Sequence, residues 1–292
     1  MKHSVAAVAA LALALVSILL CISWTFAQVQ QPQLAASLGN ANIKVDYYAP
    51  RDPKLQPLYQ TLQKRQVLEE LGQFLAAVRW PTTLRLLMKQ CPTSGTTSPS
   101  IFYNNLEYSL TVCYNLFTFL KTLDPPASFA TRQEALVGGL VGEVLHAASL
   151  AAFDILQIPR LGADVDAADQ LSALIAVKLG PVVAQTVIKG TYTIFDTYSY
   201  NIRANNRQFN FAIPSVAPQR GENILCIAYG ADAGAFKTFV DGGLLSSARA
   251  PNCANEYQQA AYAFGQTIKN YVDQSMMSKV LTMNWITPDD LN

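Results

Sequence analysis

The stretch Gly142-Glu143-Val144-Leu145-His146 carries two of the three residues that zinc peptidases place on one and a half turns of helix. In the HExxH pattern, histidines at i and i+4 reach one metal from the same helical face. The glutamate after the first histidine holds the metal-bound water and takes its proton. Zinc lowers the pKa of that water to about 7. Here Glu143 occupies the base position and His146 the second ligand position. Gly142 stands at the first ligand position and has no side chain with which to coordinate. The chain has one other histidine, His3. It lies in a stretch expected to be removed, so no histidine is left to substitute.

Two kinds of chemistry are open to these residues. Asp164, Asp166 and Asp169 follow within a helical turn or two of one another and could form a relocated, oxygen-rich metal site with His146. Aspartates at a helix start also serve as caps and dipole partners. Without a metal, a histidine and a glutamate at i and i+3 can share a hydrogen bond. Glu143 is then expected as a paired buried carboxylate and His146 as a hydrogen-bonded core histidine.

The elements that would position these groups can be read locally. Thr131 and Glu134 form a capping box, which opens a helix expected to run to about Leu156. Gly138, Gly139 and Gly142 lie inside it, each costing roughly 1 kcal/mol relative to alanine. Their presence calls for close packing against another element, or marks a face that once carried something else. A second helix is expected from about Asp166 to Leu179 and a third from Val182 to Ile188. Apolar spacing predicts a helix from Leu55 to about Val78 and another from Ala254 to about Val272. Leu84–Met88 reads as a strand. Ile101–Tyr103 and Tyr108–Val112 read as a hairpin, and a helix follows from Tyr114 to Thr122. Residues 190–220 are aromatic and polar with no clear period, and short helical pieces are expected at Leu225–Tyr229 and Ala233–Val240. The balance is an α+β fold, mostly helical, with a small antiparallel sheet.

The whole chain sets the frame. Its 292 residues are 51% apolar and 14% charged, with 21 basic against 20 acidic side chains. Such a balance gives no electrostatic reason for nucleic acid or an anionic membrane as partner. Ala6–Leu20 is a continuous apolar run after a short basic start, and Thr25-Phe26-Ala27 offers small residues for cleavage. Residues 1–27 are therefore expected to be a secretory signal peptide. Residues 28–53 are expected to be a flexible arm, 54–275 the folded domain and 276–292 a C-terminal tail. No later stretch reads as a membrane span. The glycine-rich segment Ala135–Ile158 comes nearest and is interrupted by Glu143, His146 and Asp154. Apart from Cys21, four cysteines remain, an even count that suggests two disulfides in an exported chain. Three pairings are possible. The sequence-local one, Cys91–Cys113 with Cys226–Cys253, is favoured.

Four segments in order carry a resemblance. They are Gly142–Ala147, Asp166-Ala167-Ala168-Asp169-Gln170, Cys226-Ile227-Ala228-Tyr229-Gly230 and Arg249-Ala250-Pro251-Asn252-Cys253-Ala254-Asn255-Glu256-Tyr257. Together they resemble the metallopeptidase family of bacterial exported proteins known as domain of unknown function 4344, over about Leu55–Val272. The resemblance implies a zincin-like domain and a zinc-dependent peptide hydrolysis, and it supports the local cysteine pairs. It also implies a third ligand, a glutamate four residues before Asp169. That position is Val165. Asp169 would orient a ligand rather than bind metal. Arg249, Glu256 and Tyr257 are expected to support the fold around Cys253. An acidic, histidine-containing stretch expected before the Gln219-Arg220 pair is also absent, since Ala212-Ile213-Pro214 stands there.

The reading that follows is an exported, periplasmic or secreted protein whose metal site has degenerated. Glu143 is its vestigial base, His146 a vestigial ligand, and Gly142 and Val165 are lost ligand positions. No cofactor is expected, or zinc if the site still works. The expected partner is a peptide or protein, with no nucleic acid and no membrane after signal cleavage. The first alternative is an active metal-dependent peptidase using His146 with Glu143, Asp166 or Asp169. The second is a structural envelope protein.

Overall fold

The computed structural model describes residues 42–92, 101–160, 162–204 and 217–282. The expected signal peptide, residues 28–41 of the expected arm, the Ala212–Pro214 stretch and residues 283–292 lie outside the described residues.

A four-stranded sheet forms one layer, in the order β1-β2-β4-β3. Its strands are β1 (Ile43–Tyr47), β2 (Leu84–Lys89), β3 (Ile101–Asn104) and β4 (Ser109–Cys113). The hairpin expected from the sequence is present, β3 lying antiparallel to β4 with Ile101 opposite Val112. The sheet is nevertheless mixed rather than antiparallel, because β2 pairs parallel with both β1 and β4. The reason lies in β1. It falls within the segment expected to be an arm, and the two helices between it and β2 provide the long crossover that a parallel pair needs. Those helices are α1 (Gln56–Lys64) and α2 (Val67–Leu75). The single expected helix breaks in two at Gln66, whose φ of 55° is left-handed.

Alternation along β2 and β4 turns Leu84, Leu86, Met88, Leu110 and Val112 into the core, all fully buried. Cys91–Cys113 ties the end of β2 to the end of β4, 22 residues apart. Closing a loop of that length is worth roughly 3 kcal/mol through the unfolded chain.

The rest is helical. It comprises α3 (Tyr114–Leu120), α4 (Arg132–Ile155), α5 (Asp164–Lys178), α6 (Pro181–Ala204), α7 (Ala217–Ala231), α8 (Lys237–Asp241), α9 (Cys253–Ile268) and α10 (Gln274–Thr282). The capping box at the start of α4 is formed from both sides, Thr131 Oγ1 accepting from the Glu134 amide and Glu134 accepting from the Thr131 amide. α4 is long and apolar enough to cross a bilayer by length and composition, but 78% of its most apolar window is buried inside the protein. It is the central helix, and α6, α5, α3 and β3 pack around it. Tyr103 on β3 hydrogen-bonds Asp154 near its end at 2.6 Å. The second disulfide, Cys226–Cys253, joins α7 to the start of α9. Beside it Arg249 bridges Glu256 at 3.0 Å and Asn223 at 2.7 Å, as expected of a residue supporting that corner.

α6 extends far beyond the expected Val182–Ile188, and α7 begins well before Leu225. Both are buried on more than one side, so their sequences lack the single apolar stripe that reveals a surface helix.

Candidate functional site

Helical spacing puts Gly142 and His146 on one side of α4, with Glu143 beside them. What each of them meets is decided by the neighbouring helices.

Gly142 meets α6. A Cβ at this position would overlap Thr191 Oγ1, and it would stand 3.1 Å from Thr191 Cβ. The Thr191 hydroxyl is buried and donates to the Val187 carbonyl at 2.8 Å. The two glycines before it explain the approach. A Cβ on Gly138 would overlap the Thr186 carbonyl oxygen, and one on Gly190 would overlap the Gly139 amide nitrogen. The backbones of α4 and α6 touch, which is possible only with glycine on both sides. The close packing expected of the three glycines is thus real, and it includes the position of the first ligand.

His146 meets α5. Its Nδ1 lies 2.7 Å from Asp169 Oδ1. An ionised carboxylate can only accept, so Nδ1 carries the hydrogen in this contact. Asp169 is held from its other side by Arg220 of α7, with Nε donating to Oδ2 at 2.6 Å and Nη2 to Oδ1 at 2.9 Å. This two-pronged pairing is the strongest geometry available to the pair. The guanidinium in turn lies 4.4 Å above the Phe195 ring of α6. Asp169 has 3% of its side chain exposed, Arg220 20% and His146 14%.

Burial by itself would push the Asp169 carboxyl up. The hydrogen bonds from Arg220 and His146, with their charges, outweigh it and hold Asp169 below the ordinary range. Burial likewise works against the charge on Arg220, and the bond to Asp169 more than restores it. Glu143 lacks such help. Burial raises its pKa, and the charges of His146 and Arg220 only partly offset this. The hydrogen bond expected between Glu143 and His146 is not formed among the described residues. His146 turns to Asp169 instead, a carboxylate that Arg220 keeps ionised and that therefore accepts a charge-assisted bond.

The remaining candidates separate. Val165 lies one turn before Asp169 on the same side of α5. Asp164 is half exposed and pairs with Arg160, away from the histidine. Asp166 keeps one buried oxygen, Oδ1, without a hydrogen-bond partner, and it interacts with the charge of Arg220.

The donor set can be tested against zinc. His146 offers Nε2, and Asp169 fixes its ring from behind, as a bound metal would require. Positions 142 and 165 offer nothing, and threonine fills the space before the first of them. Arg220 places a fixed positive charge against the Asp169–His146 pair. Among the described residues no three of His, Cys, Asp and Glu group as a metal site. These residues do not fit a zinc ion.

Sequence reasoning named Arg220 only as part of the Gln219-Arg220 pair, without a role, and missed Thr191 and Phe195. The role of Arg220 had one signal: a carboxylate buried in a helix of alanines and leucines needs a cation.

No curated protein and no solved structure matches the chain. A family model does, over residues 47–267, and its description reads "Putative metallopeptidase". That match covers most of the chain and all four segments picked out above, so the protein belongs to the metallopeptidase family of domain of unknown function 4344.

Proposed function

We propose that this protein is an exported, catalytically inactive member of its family that serves as a binding or scaffold module for a peptide or protein. One observation carries the reading: the space in front of the first ligand position is taken by Thr191, so the metal site is closed by packing as well as short of ligands. Val165 at the third position and Arg220 against His146 support it. Export is supported by the apolar run Ala6–Leu20 and by two disulfides, which persist in oxidising compartments.

Metal analysis of the purified chain after exposure to zinc is the test, with a peptide-hydrolysis assay beside it. The expected result is well under one zinc per chain and no hydrolysis. Gly142→His with Val165→Glu is expected to leave zinc unbound, and adding Thr191→Gly is expected to permit it. One zinc per chain in the native protein, lost in His146→Ala, would overturn the proposal in favour of a rearranged active site.

A further inference from the structure

The packing between several helices leaves a gap. A cavity of about 100 Å³ lies between α2, α4, α5, α9 and α10. Trp80, Leu145, Ala152, Leu171, Ile268 and Met277 contribute to its wall. Leu145 and His146 are adjacent in sequence and so point about 100° apart around α4. The cavity is therefore on a different face from the histidine cluster.

None of its lining residues is ionisable. The two with side-chain donors have spent them nearby: Ser149 Oγ donates to the Leu145 carbonyl at 2.8 Å and Trp80 Nε1 to the Leu75 carbonyl at 3.0 Å. Water needs two to four polar partners, and apolar cavities of this order stay dry and take up small apolar molecules. Protein interiors hold few voids larger than a water, so a space of this size is a candidate for an occupant.

One side of its wall comes from a single segment. Ile268, Val272 and Met277 belong to the segment from the end of α9 into α10. That segment is held across the loop after α2 by three short hydrogen bonds. Arg79 N donates to the Tyr271 carbonyl at 2.7 Å, Asp273 N to the Ala77 carbonyl at 2.8 Å, and Arg79 Nη2 to the Asn270 carbonyl at 2.7 Å.

We infer that this cavity is a binding site for a small uncharged hydrocarbon group, an aromatic ring or branched alkyl end about the size of benzene, which enters past the 268–277 segment. The inference stands whether or not His146 binds metal.

The test is titration of the full chain with benzene, followed by the Trp80 indole N–H resonance and by thermal unfolding. The expected result is a saturable shift and a Tm rise of roughly 3 °C at ten times Kd. Benzoate, whose charge finds no partner in the wall, is expected to produce neither. Ala152→Leu fills the space and is expected to abolish the benzene response; Ala148→Val is the second variant should the first fail to fold. A Trp80 resonance that does not respond saturably in the native chain, or one that responds equally in the filled variant, would overturn the inference.

Discussion

Two faces of the same helix have been treated in opposite ways. On one, Gly138, Gly139 and Gly142 bring α4 into backbone contact with α6, with no room for a methyl group. On the other, Leu145, Ala148 and Ala152 border a space about the size of a small molecule. One turn on from Gly142, on its side of the helix, His146 reaches Asp169 and Arg220. The overfilled face is the one where a metal ligand would have to stand, and the underfilled face has no chemistry of its own. Loss of a ligand at position 142 is therefore bound up with how the core is packed. Regaining it requires α6 to give way.

Substitutions that add or remove atoms on each face sharpen this contrast. The largest effect is expected from Gly138→Ala, which must displace the backbone carbonyl of Thr186. A loss of about 3 kcal/mol or more in denaturant unfolding is expected, well beyond the roughly 1 kcal/mol of helix propensity gained. Asp169→Ala should cost about 3 kcal/mol, because it leaves Arg220 buried beside Phe195 without its partner. Gly142→Ala meets a side chain rather than backbone, so a loss of about 1–3 kcal/mol is expected, with a substantial part recovered on adding Thr191→Ala. Absence of any recovery would show that the helices, and not Thr191, close that position.

The two acids of the site should respond to pH with opposite signs. The pKa of Glu143 is raised, so its contribution favours folding below its unfolded value of about 4.3 and is lost as pH rises through the folded value. Glu143→Gln is therefore expected to stabilise the protein at pH 7 and to have a smaller effect at pH 4. Asp169 is lowered, so its contribution is present above about 3.9 and lost as pH falls through the folded value. Unfolding profiles from pH 3 to 8 for Glu143→Gln and Asp169→Asn check both signs. The smallest effect is expected on the underfilled face, where Ala152→Leu should change stability by less than about 1 kcal/mol, since added atoms enter existing space.

What could be read from the sequence follows from the same physics. The start of α4 was legible because a capping box is a local device of four residues. The glycines announced a close approach, but not that α6 would make it. The α6 and α7 boundaries were hidden because helices buried on several sides carry no single stripe. β1 was hidden because five residues with little alternation are ordered only by pairing with β2, some forty residues on. In the site, Gly142 could be named from its spacing to Glu143 and His146, and Val165 from the family resemblance. The role of Arg220 could not, because that residue joins Asp169 from a helix 51 residues away.

The contact between the loop after α2 and the end of α9 has a consequence for how the molecule is made. Arg79 and Asn270 are 191 positions apart. At 5–20 residues per second, a ribosome needs roughly 10–40 s to deliver the second after the first. Through that interval Phe74, Leu75 and Trp80 lack the neighbours that finally cover them. The packing around Trp80 is thus completed only after the segment around Asn270 has been synthesised.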